Sequence, residues 1–149
     1  AFGGRAFEYG SAWGLDGTGA VAIWLPPNVS ADEEELVAIL GDSISPNQQA
    51  DTFAVLEQMA AAHPSFPHWY LPWLAVEPGR QGEGLGSTLL AHGLEIVDAE
   101  HLPAFLETPN PRTVPLYERH GFEVIATAQA GSCPPVTSML RAAVGGSTP

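Results

Sequence analysis

Between Val76 and Ser87 the chain reads VEPGRQGEGLGS, with glycine at 79, 82, 84 and 86. Before it stands a bulky apolar run, Trp69–Val76 (WYLPWLAV). After it come Leu85, Leu89, Leu90, Leu94, Ile96 and Val97, spaced as a helix face and ending near Glu100. This is a strand, a glycine-rich turn and a helix in succession. The first amides of a helix have no internal acceptor, and the positive end of its dipole lies behind them. Without Cβ atoms at Gly82, Gly84 and Gly86, an anion can approach that backbone closely. The spacing G-x-G-x-G does not meet the dinucleotide pattern G-x-G-x-x-G. No lysine follows the glycines, so it is not a P-loop.

The remaining elements follow from pattern. Glu8–Leu15 reads as a strand, Asp16-Gly17-Thr18-Gly19 as a turn and Ala20–Leu25 (AVAIWL) as a second strand closing a hairpin. Ser30 and Glu33 form a capping box for a short helix to about Leu40. Pro46 is expected at the first position of a second helix that runs to about His63, with Phe53, Leu56, Met59 and Ala60 as its core stripe. Pro72 marks Trp69–Val76 as an edge strand or a bulged one. Pro103–Glu107 reads as a short buried strand, and Pro111–His120 holds a short helix ended by Gly121. Phe122–Thr127 and Val136–Arg141 read as a last antiparallel hairpin. Hairpins mixed with strand–helix–strand crossovers predict an α+β fold on a mixed sheet. Residues 1–144 are expected to form one domain, with 145–149 as a disordered tail.

Charge narrows the partners. Seventeen carboxylates face five arginines and no lysine, for a net charge of −12. That balance argues against nucleic acid and against an anionic membrane. No apolar run approaches the roughly 20 residues that cross a bilayer, and no secretory signal opens the chain, so the expected location is cytoplasmic. Cys133 is the one cysteine, and the five histidines lack a zinc spacing such as H-E-x-x-H. No metal site is expected.

A second motif lies about thirty residues beyond the glycines: Asn110, then Tyr117, then Gly121-Phe122. Together with Val76-x-Pro78 and Gln81-x-x-Gly84-x-Gly86, it resembles the GNAT superfamily of N-acetyltransferases. FLETPNPR and PLYERHGFEV are most similar to its puromycin N-acetyltransferase-like branch. The resemblance runs from about Tyr9 to about Leu140. It implies a mostly antiparallel mixed sheet flanked by helices, with a cleft where two strands splay apart to admit acetyl-coenzyme A.

The resemblance also implies roles. The Val76 amide would be the oxyanion donor, and backbone groups of Leu74 and Val76 would pair with the pantetheine arm. Amides of Gln81, Gly82, Glu83, Gly84, Leu85, Gly86 and Ser87 would hold the pyrophosphate. Asn110 would touch the pantetheine, and Tyr117 would protonate the departing thiolate. Arg80, Arg112 and Arg119 are candidates for the remaining phosphate. By their places in the chain, Glu107 at the end of the buried strand and Glu77 directly after Val76 are the candidates to collect the amine proton, with Glu107 the stronger.

Two departures from the family pattern stand out. The family usually begins with a strand and one or two helices ahead of the hairpin, and no counterpart is expected here, so either the sequence is a fragment or a second chain, as in a homodimer, would complete the acceptor wall. Glu83 places a carboxylate near the diphosphate, where lysine is frequent in the family. The expected activity is direct acetyl transfer to a primary amine of a small molecule, such as an aminonucleoside. The alternative is an inactive module that binds coenzyme A or a protein.

Overall fold

The computed structural model describes residues 2–30, 38 and 44–145. Two strands, β1 (Ala12–Leu15) and β2 (Ala20–Leu25), pair antiparallel across the Asp16–Gly19 turn. A short helix, α1 (Phe2–Glu8), precedes them. The expected strand from Glu8 therefore begins four residues late. Gly10, at φ +63°, ends the helix, and the Ser11 amide donates back to the Ala6 carbonyl at 2.8 Å. Buried Ser11 then donates its hydroxyl to the Trp24 carbonyl at 2.6 Å, which ties α1 to β2.

The Ser30-capped helix falls almost wholly outside the described residues. Helix α2 spans Gln49–Ala62, three residues later than Pro46 predicts. Ser45 and Gln48 instead close a turn: the Gln48 amide donates to the Ser45 carbonyl at 2.9 Å, and the Ser45 hydroxyl donates to the Gln48 side chain at 2.7 Å. The core stripe of α2 is also rotated from expectation. Val55 is its buried residue, while Phe53 is 56% exposed. The phase is set by Gln58, whose side-chain amide exchanges two hydrogen bonds with the backbone of Gln129.

The other elements are β3 (Trp69–Val76), α3 (Leu85–Ala99), β4 (Ala104–Thr108), α4 (Val114–Glu118), β5 (Glu123–Ala128) and β6 (Val136–Arg141). The six strands form one sheet in the order β1-β2-β3-β4-β6-β5, and only β3 and β4 run parallel. This is the mixed, mostly antiparallel sheet that the sequence predicts. Helix α3 buries Leu89, Leu90, Gly93, Leu94 and Val97 against one face, an apolar stripe with helical period. It fits closely because Ala20 and Ala22 are small and the Trp24 ring lies over Gly93. A Cβ at Gly93 would meet Trp24 Cε2 at 2.6 Å. Helix α2 lies against β5 and β6.

Pro72 produces the feature on which the site depends. Trp73 pairs with Ile23 and Tyr70 with Leu25, so Leu71 and Pro72 together face Trp24 in a bulge. On the other side, the ladder to β4 stops at Leu71–Leu106, while β4 runs on to Thr108 paired with β6. Proline contributes no N–H, and the sheet forks where it stands. The strand is third of six rather than an edge, so the bulge is the outcome of the two predicted. Gly145 is described at φ +74°, and the rest of the expected tail lies outside the described residues.

Candidate active site

The fork opens a cavity of about 670 Å³ between the end of β3, the glycine-rich turn and α4. Leu74, Val76, Gln81, Gly82, Gly84, Leu85, Gly86, Ser87, Asn110 and Tyr117 all line it. These ten candidates from the sequence thus share one wall system. Glu83 and Glu107 are not among its lining residues.

Backbone dominates this cavity. The Glu77 amide donates to the Gly19 carbonyl at 3.0 Å, toward β2. Strand amides alternate in direction, so those of Val76 and Leu74 point into the fork, where β4 has left the ladder. The Val76 carbonyl, on that same side, accepts from the Gln81 side chain at 3.2 Å. That bond draws the turn toward the strand end. Gly82 and Gly84 sit at φ +84° and +83°, where an L side chain is strained. Gly84 is also the N-cap of α3 and offers no side-chain cap. The first helical bond runs from the Thr88 amide to the Gly84 carbonyl at 3.0 Å. The amides of Leu85, Gly86 and Ser87 precede it and have no acceptor within the helix.

Asn110 caps the turn Pro111–Thr113, its Oδ1 accepting from the Arg112 amide at 3.1 Å. That turn feeds α4, which carries Tyr117. Tyr117 is 7% exposed and meets Phe122 edge-on at 6.0 Å. Burial holds its phenol above the ordinary pKa, so it stays protonated through neutral pH. His120 joins the two helices around the cavity. Its Nδ1–H donates to the Leu116 carbonyl at 2.9 Å, which leaves Nε2 to accept from the Ser87 hydroxyl at 3.1 Å. In the sequence His120 stands only at the end of a short helix, and nothing local announces a partner 33 residues away.

The charges sort differently from the sequence expectation. Arg80 donates from Nε and Nη2 to one oxygen of Glu83, at 3.0 and 2.8 Å, and from Nη1 to the Gly17 carbonyl at 3.3 Å. The pair is exposed and neutralises itself. Arg112 and Arg119 line the same cavity, and among the described residues neither pairs with a carboxylate.

Glu107 belongs to a second cavity, of about 580 Å³, lined with Pro26, Met59, His63, Phe66, His68 and Tyr70 among others. Along β4, Ala104 and Leu106 point into the core under α3, so Phe105 and Glu107 point to the opposite face. Glu107 is the first β4 residue past the last rung to β3. Its Oε2 accepts from the Tyr70 hydroxyl at 3.0 Å, while Oε1 is buried with no hydrogen-bond partner among the described residues. Burial raises the Glu107 pKa, partly offset by that hydrogen bond. Burial and the neighbouring Glu107 raise Tyr70 as well. Glu77, the weaker candidate, lies beside Gly19, far along the hairpin side of the strand.

The Acetyltransferase (GNAT) family profile matches residues 17–122, more than half of the chain. The chain belongs to the GNAT acetyltransferase family. Among solved structures it is similar to a Corynebacterium glutamicum protein described as histone acetyltransferase HPA2 and related acetyltransferase. The two are 28% identical with a TM-score of 0.59, and the match covers 87% of this chain and 60% of that one. The fold is shared with the polyamine N-acetyltransferase of Drosophila melanogaster, which forms N-acetylagmatine (16% identity, TM-score 0.62, 91% and 76% covered). It is also shared with a mosquito arylalkylamine N-acetyltransferase-like protein (16%, 0.53, 82% and 67%). In this GNAT chain the fork between β3 and β4 separates two cavities of different make. No helix among its described residues is long and apolar enough to cross a membrane.

Proposed function

We propose that the chain is an N-acetyltransferase that uses acetyl-coenzyme A and acetylates a primary amine of a small molecule. The observation that carries this reading is the fork itself. It is a strand edge that has left the β4 ladder, with inward amides, continuous with helix amides that lack acceptors within the helix and with two arginines that pair with no carboxylate among the described residues. These features fit an extended chain that ends in phosphates. Leu74 and Val76 would hold the pantetheine as an added strand, and Asn110 would bound it. Amides from Gln81 to Ser87 would hold the diphosphate. Arg119 and Arg112 would meet the remaining phosphate. Acetyl-coenzyme A would supply the acetyl group as a thioester.

Each residue then has a definable task. The Val76 amide donates to the carbonyl oxygen as charge develops there, an interaction worth about 2.7–4 kcal/mol in studied enzymes. Tyr117 holds a proton on its hydroxyl and is the donor to the leaving sulfur. A positioned acid of this kind contributes roughly 10²- to 10⁴-fold. On the opposite face, Oε1 of Glu107 is the acceptor for the amine proton. Its raised pKa brings it closer to that of the amine. Glu83 is turned to Arg80 and does not oppose the phosphates.

Calorimetry with coenzyme A, followed by mass spectrometry of amines incubated with acetyl-coenzyme A, tests this reading. Binding together with a 42 Da gain on the amine, roughly one acetyl group for one proton, is expected. Failure of coenzyme A to bind would overturn the assignment of the fork.

A further inference from the structure

The second cavity has a wall chemistry of its own. The ring of His63 lies edge-on to Phe105 at 4.7 Å, to His68 at 4.9 Å and to Tyr70 at 5.2 Å. Phe66 adds a ring 6.2 Å from His68 and is 47% exposed. Met59, Pro64 and Pro67 complete an apolar surface. Among the described lining residues there is one carboxylate, Glu107, at the fork.

The two imidazoles define the rim. His68 Nδ1–H donates to the Phe66 carbonyl at 2.7 Å, and the two Nε2 atoms lie 3.1 Å apart. That contact needs one proton between the two nitrogens, so one ring donates and the other accepts. A further proton would place like charges in contact, and partial desolvation with the His68 neighbour holds the His63 pKa below its ordinary value. Among the described residues, the rim therefore offers neutral or positive groups.

We propose that this cavity takes a primary amine carried on a flat aromatic body, with the rings of Phe66, His63, His68 and Tyr70 against that body and Oε1 of Glu107 on the nitrogen. The ammonium end meets Glu107. The aromatic end fills a wall that gains from edge and face contacts between rings. The cavity is within the range that takes drug-sized ligands.

This inference deepens the acetyl-transfer reading and rests on it for the reaction, although amine docking can be measured without turnover. The test titrates the full chain with phenethylamine and with agmatine by calorimetry, while NMR follows the imidazole Hε1 signals of His63 and His68. Phenethylamine should bind about tenfold more tightly than agmatine and shift both imidazoles. Phe66→Ala, at an exposed position, should weaken phenethylamine by roughly 3- to 10-fold and leave agmatine unchanged. Glu107→Gln should weaken both amines. Agmatine binding as well or better, no binding of either amine, or phenethylamine binding that leaves the imidazole signals in place would each overturn the proposal. A coenzyme A thermal shift run in parallel reports on the fork alone. Its absence would overturn the cofactor reading, while the amine titrations would still decide what the second cavity binds.

Discussion

The two cavities on either side of the Pro72 fork are built from different material. The cleft proposed for the cofactor is backbone: strand amides at Leu74 and Val76, a turn held by Gly82 and Gly84, and the open first turn of α3. The opposite cavity is side chain: Glu107, Tyr70, His63, His68 and Phe66, drawn from two segments nearly forty residues apart. Backbone recognition needs particular backbone angles at fixed spacing, so it leaves glycines in register. Side-chain recognition needs only proximity in space, and many spacings supply that. The residues of the first cavity therefore form motifs that can be read in the sequence, and those of the second do not.

The largest expected effect tests the residue that serves the cofactor side with a side chain. Tyr117→Phe should lower kcat by roughly 10²- to 10⁴-fold. Coenzyme A affinity by calorimetry should stay nearly unchanged, because the ring still fills its place beside Phe122. Unchanged turnover would remove Tyr117 as the proton donor.

Glu107→Gln probes the other side and should lower kcat/KM by about 10²-fold. It also carries a stability sign. Burial raises the Glu107 pKa, so the native protein binds this proton more tightly than the unfolded chain does. Stability from this group is present below the ordinary carboxyl pKa and is lost as pH rises through the folded value. The glutamine variant should therefore melt higher than the parent at pH 8 and no higher at pH 4. An equal gain at both values would contradict the buried acid.

Gly84→Asp should weaken coenzyme A binding by roughly tenfold or more. It forces a side chain into φ +83° and sets a negative charge at the head of α3. The smallest effect separates the arginines. Arg119→Ala should weaken coenzyme A by about 3-fold at low salt and less at high salt. Arg80→Ala should change it less, because Arg80 is already held by Glu83. The reverse order would return Arg80 to the role its position in the motif suggests.

The same division explains how much could be read in advance. Strands β2, β3, β4 and β6 and helix α3 announce themselves through apolar runs bounded by glycine and proline. The bulge is legible because Pro72 interrupts a run that is otherwise well suited to a strand. The start of α2 is not, because the Ser45–Gln48 turn and a cap use the same residue types. Its rotation is not legible either, since Gln58 is pinned to Gln129 from 71 residues away. Helix α1 left a signal in Gly10, but its sequence FGGRAFE contains two glycines that lower helix propensity. The cofactor candidates lie together because they belong to two contiguous motifs. Glu107 is legible from its place at a strand end, while His63, His68 and Phe66 carry no pattern that ties them to it.

Release of free thiol from acetyl-coenzyme A, measured with phenethylamine present and absent, tests the central claim most directly. Release well above background with the amine, in step with formation of the N-acetyl product, is the expected result. Coenzyme A that raises the melting temperature, with thiol release at background across a panel of amines, would contradict it and leave a binding module in its place.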